Sequence, residues 1–248
     1  MKNRLRDPVG QSPEERIRKR IKCFAKRSLR RIREFPPQEF IEGNYVNPLL
    51  MWALGINDFG HLAKYLVYRT LDRSFVTSFG YVIQDMIEIA ANGQKGTWWD
   101  VVKETPSGKL YLCVKSGGSN MNKDLVEYYS KQVIELMAKD PDAIPMIAMG
   151  YGRRVWPIIN KTLNDQGLDP EKHTVMGKVL FDKITGDPNF HKNLPKLIEG
   201  SAVEALSGKR IIDLIDQKID ELKQYLTHNY RDTNELLQYI FDPQAKNL

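Results

Sequence analysis

Residues 98 to 124 read WWDVVKETPSGKLYLCVKSGGSNMNKD, and this stretch decides the fold. Its β-branched and aromatic runs flank a proline-glycine turn. They predict a short strand ending near Asp100, a hairpin at Pro106-Ser107-Gly108 and a second strand over Leu110 to Val114. The second strand delivers Lys115 beside the first, so a carboxylate and an ammonium stand on neighbouring strand ends. That pair suits phosphodiester hydrolysis. A carboxylate holds a hard divalent metal on oxygen, while a lysine positions or deprotonates a water and offsets charge building on a phosphate.

Upstream, a helix is expected from about Ser74 to Ala91, with Phe79, Val82, Ile83, Met86, Ile87 and Ala90 as its core face and Asn92-Gly93 closing it. Gln84, Asp85 and Glu88 fall on the opposite, polar side, 84 and 88 at i,i+4 and 85 and 88 at i,i+3. The helix leads straight into the Asp100 strand, so a carboxylate on it can reach the same metal. Ordinary solvent-facing acids are the competing reading. Leu49 to Leu54, opened by Asn47-Pro48, and Phe59 to Tyr68 read as two further helices.

Downstream, Leu125 to Lys139 is an amphipathic helix carrying Val126, Tyr129, Val133, Ile134 and Met137. Ile144 to Met149 is a continuous apolar run of the kind buried at a sheet centre. Gly150-Tyr151-Gly152-Arg153-Arg154 ends that strand with glycines and paired arginines, which either contact phosphates and bases or sit on the surface. Thr174 to Asp182 reads as strand or helix, Thr185-Gly186-Asp187-Pro188 as a turn and Phe190 to Ile198 as a helix. Lys209 to Leu226 has a wide apolar face, either core or dimer surface.

Composition sets the bounds. With 248 residues, 42% of them hydrophobic, the chain can bury a large core as one domain over 1–248. A basic N-terminal helix at about 13–33 and a helical C-terminal region at about 190–248 would be additions to it. There is no run of 18 or more apolar residues, and the N-terminal segment is basic and polar. A soluble, cytoplasmic protein without a membrane partner is expected. Cys23 and Cys113 give little support to a disulfide framework or a cysteine metal site. The four histidines show no metal-ligand spacing.

The net charge of +6 is concentrated between Lys2 and Arg33, where basic residues far outnumber Asp7, Glu14 and Glu15. Such a field favours a polyanion, nucleic acid being the commonest, or is a solvated helix face. Ser12-Pro13-Glu14-Glu15 forms a capping box that starts the helix. Ile17, Ile21, Phe24, Ala25, Ser28 and Ile32 recur on one stripe, and Pro36-Pro37 ends it.

A helix with polar residues, then Asp100, a hairpin and a strand ending in Val114-Lys115 resembles the PD-(D/E)xK nuclease superfamily, type II restriction endonucleases in particular. KSGGSNMNKD after the strand, MGYGRR after the next and LFDKITGDPNF beyond resemble successive segments of such enzymes, so the likeness covers roughly Phe79 to Ile198. It implies an α/β fold, a restriction-endonuclease-like core whose mixed central sheet is flanked by helices. It also implies a homodimer that cuts double-stranded DNA at a short palindrome with Mg²⁺. Asp100 would be the metal-binding aspartate, Lys115 the catalytic lysine, and Gln84, Asp85 or Glu88 the helix-borne position, Glu88 first among the acids. Ser116, Asn120, Asn122 and Lys123 would contact DNA, with Arg153 and Arg154.

Two departures stand out. Trp99 occupies the place of the family proline, and Cys113 the place of the acid two residues before the lysine. A soft, largely protonated thiol is a doubtful magnesium ligand. Either a helix carboxylate replaces the missing acid, or a backbone carbonyl and waters complete the shell, or the site is weakened. Cys113 as a nucleophile is the least attractive reading, since no histidine lies near it in sequence. Two other functions stay open on these residues: a structure-specific repair or recombination nuclease, and a DNA-binding protein of the same fold that has lost its chemistry.

Overall fold

The computed structural model describes residues 11–43, 45–118 and 121–242. In chain order the elements are helices α1 (Pro13–Arg33), α2 (Pro37–Glu42), α3 (Pro48–Ala53) and α4 (Phe59–Ala91), then strands β1 (Val101–Thr105) and β2 (Gly108–Gly117). Next come α5 (Lys123–Lys139), β3 (Ala143–Tyr151), α6 (Pro157–Asp165), α7 (Pro170–His173) and β4 (Thr174–Met176). The chain closes with α8 (Gly177–Thr185), α9 (Phe190–Ala205), α10 (Ile211–Asn229) and α11 (Thr233–Phe241). Contacts divide it into two compact units: Met1–Ile21 with Phe79–Ser201, and Lys22–Ser78 with Ala202–Leu248.

The first unit is α/β. Its four-stranded sheet has the order β1-β2-β3-β4, with β1 antiparallel to β2 and the other two pairings parallel. Successive side chains of β2 alternate between two covered faces. Leu112, Val114 and Ser116 face α4, which comes so near that a Cβ on Gly80 would stand 3.4 Å from Ser116 Oγ. On the other face Cys113, with Ile147 and Met149 of β3, packs under Val126, Tyr129 and Val133 of α5 and Ile159 and Leu163 of α6. A mixed sheet between helical layers is the expected architecture, and the chain has it. Lys103 of β1 donates to the Ile184 carbonyl at 2.5 Å, closing one of the carbonyls at the end of α8.

The second unit is helical among its described residues. Its core gathers Phe40, Met51, Leu66, Leu71, Leu222 and Leu236. The buried Lys218 ammonium donates to the Phe35 carbonyl at 3.2 Å and pairs with Glu221 at 2.6 Å, which makes burial of its charge tolerable. No described helix is long and apolar enough to cross a membrane.

Several boundaries differ from the sequence reading. The capping box is present, Glu15 N donating to Ser12 Oγ at 3.2 Å and Ser12 N to Glu15 Oε2 at 2.8 Å. The two helices read over 59–68 and 74–91 are one element, α4, because Arg69 to Arg73 contains neither proline nor glycine to break it. β1 begins after Asp100 and does not end there. Trp98 and Trp99 turn out of the strand to stack near Tyr128 and Tyr129 of α5, with ring centroids 5.6 and 5.8 Å apart, and Gly96 N closes the turn on the Trp99 carbonyl at 3.0 Å. Thr174 to Asp182 is strand and helix in succession, split at Gly177, whose φ of 52° a glycine adopts without strain.

Candidate active site

β1 pairs with β2 only as far as Val101 opposite Leu112, so β2 runs past its neighbour and leaves an open edge. Val114 is the residue this exposes. Both of its main-chain polar groups are taken by side chains: its N–H donates to Asp100 Oδ2 at 2.8 Å, and its carbonyl accepts from Gln84 Nε2 at 3.3 Å. A ladder group left open inside a fold must find a partner, and here a loop carboxylate and a helix carboxamide supply it. One peptide position thereby draws Asp100 from the segment before β1 and Gln84 from α4 to a single edge.

Cys113 and Lys115 flank Val114 and share the α5 face of β2. The Cys113 thiol reports the charges around it. Burial pushes its pKa from an ordinary 9.0 to about 11, against a lowering pull from Lys115 and with a smaller raising push from Asp100. Asp100 and Lys115 thus act on the same sulfur atom. They are not in direct contact, since no ion pair within 4 Å joins them among the described residues. The Tyr129 hydroxyl over Cys113 is pushed well above its ordinary value, chiefly by burial and also by the thiol. The layer beneath Lys115 is therefore buried and its thiol and phenol are neutral, while Lys115 itself is half-buried at the rim.

The other expected site residues fall into two sets. Asp85 lies 3.5 Å from Arg20 Nε of α1, so its carboxylate is committed to that helix and not to the β2 edge. Glu88 is half-buried one turn beyond Gln84, a turn that moves it from the Val114 level towards Leu112. Of the three helix candidates, Gln84 reaches the strand, although its polarity suggested the opposite face. Ser116, expected beside DNA, is 8% exposed and turned to α4, because it alternates with Lys115 along the strand. Asn122 is the N-cap of α5, its Oδ1 accepting from Leu125 N at 3.0 Å, and Lys123 next to it is exposed with Glu127 at 3.5 Å. Arg153 and Arg154 are exposed just beyond β3. Asn120 lies outside the described residues.

No protein-family model matches the chain, and no curated protein matches it.

Among the described residues, no three His, Cys, Asp or Glu side chains group to hold a metal ion. Magnesium asks for less: it retains several waters and is held through one or two carboxylates together with substrate phosphates. The hard oxygen donors at the β2 edge are the Asp100 carboxylate and the Gln84 carboxamide oxygen, and these fit it. Cys113 does not, because a thiol with a pKa near 11 stays protonated at neutral pH and sulfur suits softer ions.

Proposed function

We propose that this protein is a Mg²⁺-dependent endonuclease of the restriction type, with a restriction-endonuclease-like core, acting as a homodimer on a short palindrome in double-stranded DNA. The observation that carries the reading is that Asp100 and Gln84 both bond the main chain of Val114 at the open edge of β2, the residue next to Lys115. An open strand end beside a half-buried lysine gives a phosphate an approach, and the buried apolar layer below strengthens electrostatics there. Asp100 and Gln84 would hold the ion, which supplies Lewis acidity toward the phosphate.

The residues of the chain do the rest. The Val114 N–H fixes the Asp100 carboxylate before substrate arrives, so little rearrangement is needed on binding. The Lys115 ammonium faces the charge that builds on the phosphate oxygens and holds the attacking water by hydrogen bonding. Arg153, Arg154 and Lys123 offer exposed cations to the backbone, and a twofold dimer matches a twofold site.

Purified protein incubated with plasmid and Mg²⁺ tests the proposal. Discrete fragments are expected from the wild type and none from Asp100→Asn or Lys115→Met. Unchanged cutting in either variant removes these residues from the chemistry.

Cys113 favours a second reading, a DNA-binding protein of the same architecture with weakened catalysis, because a neutral thiol stands where the resemblance implies an acid. Duplex binding without cleavage in both Mg²⁺ and Mn²⁺ would decide for it.

A further inference from the structure

The face of β2 that carries Cys113 and Lys115 continues to Gly117, about 7 Å further along the strand. Gly117 pairs with Tyr151, the last residue of β3, as Lys115 pairs with Met149. Register partners on adjacent strands share a face, so Tyr151 rises beside Lys115 on the α5 side of the sheet. Its ring lies across the main chain of Gly117. A Cβ there would stand 2.6 Å from the ring Cζ and 2.8 Å from the hydroxyl oxygen, so the ring holds this place only over a glycine.

The ring is floored by backbone, yet Tyr151 is 54% exposed. It is oriented without being buried. Gly118 next to it backs onto the Arg154 carbonyl, where a Cβ would be 3.2 Å away, so the exposed Arg153-Arg154 segment borders the same end of the strands. A lysine, an exposed phenol and two arginines thus follow one another around the carboxyl end of β2 and β3.

We infer that Tyr151 is a DNA-backbone contact whose hydroxyl donates a hydrogen bond to the phosphate next to the one Lys115 serves. This rests on the nuclease reading of Asp100 and Lys115. A phenol donates to a phosphate oxygen without adding charge; it fixes the register of the duplex and carries no base information. A ring that merely covers Gly117 needs no hydroxyl, and that difference is measurable.

Fluorescence anisotropy on a labelled duplex, with steady-state cleavage of the same duplex, tests the contact. Tyr151→Phe keeps the ring and removes the donor; binding is expected to weaken about tenfold, with KM raised by a similar factor at unchanged kcat. Gly117→Ala displaces the ring and is expected to weaken binding too. Equal affinity and equal KM for Tyr151→Phe and wild type overturn the contact, whether or not Gly117→Ala folds. A fall in kcat at unchanged KM also overturns it, since the hydroxyl then serves the reacting phosphate itself. Wild-type protein that neither binds nor cuts a duplex brings down the nuclease reading and the contact together. Normal wild-type cutting with an indifferent Tyr151→Phe removes the contact alone.

Discussion

The chemistry open to Cys113 can be measured directly by alkylation. Burial pushes its thiol to about 11, and the thiolate is the species that reacts. At pH 8 about one Cys113 in a thousand is ionised, against about one in ten for a thiol at its ordinary 9.0. Iodoacetamide should therefore modify Cys113 more slowly than the less buried Cys23, since its small thiolate fraction outweighs the greater nucleophilicity of a more basic thiolate and burial shields it as well. The sites are separated by peptide mass spectrometry over a time course, with the Cys23→Ser variant as a second readout. Lys115→Met should slow Cys113 further, because the cation that lowers its pKa is gone, and Asp100→Asn should speed it slightly. The same displacement has a stability signature. The folded pKa lies above the unfolded one, so the contribution is complete below pH 9 and is lost as pH rises through about 11. At about 1.4 kcal/mol per pH unit, it comes to roughly 3 kcal/mol, absent in Cys113→Ala. Alkylation of Cys113 as fast as Cys23 at pH 8 refutes the reasoning and returns the thiol as a candidate ligand or nucleophile.

Three further outcomes follow from the β2 edge and its surroundings. Asp100→Asn keeps an acceptor for the Val114 N–H, so urea unfolding should place it within about 1 kcal/mol of wild type, whereas Asp100→Ala should lose about 1–3 kcal/mol; equal stability of the two denies the hydrogen bond a structural role. Gln84→Leu strands the Val114 carbonyl and should cost about 1–3 kcal/mol in the same assay, and an unchanged midpoint means that water serves the carbonyl equally well. Arg153→Ala and Arg154→Ala should each lower the slope of log affinity against log salt by about 0.9 on duplex DNA, and a slope equal to wild type places that arginine off the backbone.

Much of this arrangement is legible from residues alone. The turn at Pro106-Ser107-Gly108 pins the β1–β2 register, and strand alternation then puts Cys113 and Lys115 on one face. The position of Asp100 is harder to read. Two tryptophans before it have high strand propensity, yet their rings gain more by stacking under α5, so the strand begins only after the aspartate, whose side chain takes over a ladder position. Gln84 is among the helix-borne candidates, but its face is misread for a related reason. A polar residue on a helix is assigned to solvent unless the facing element has an unmet carbonyl, and where β1 stops is a tertiary fact. Ser116 errs the other way, because a polar residue after a lysine looks exposed until the strand is seen to continue to Gly117. Tyr151 carries no sequence signal at all, since its orientation depends on a missing Cβ across the sheet.

The early stop of β1 also bears on how this protein behaves in a crowded tube. A strand that outlasts its neighbour is a template on which another copy can add, and two side chains plug that template at Val114. Variants that unplug it expose a hydrogen-bonding margin to solution, and their preparations will trend toward sheet-to-sheet clumping as concentration rises. Light scattering on Asp100→Ala and Gln84→Leu stocks will report that tendency before any assay of cutting begins.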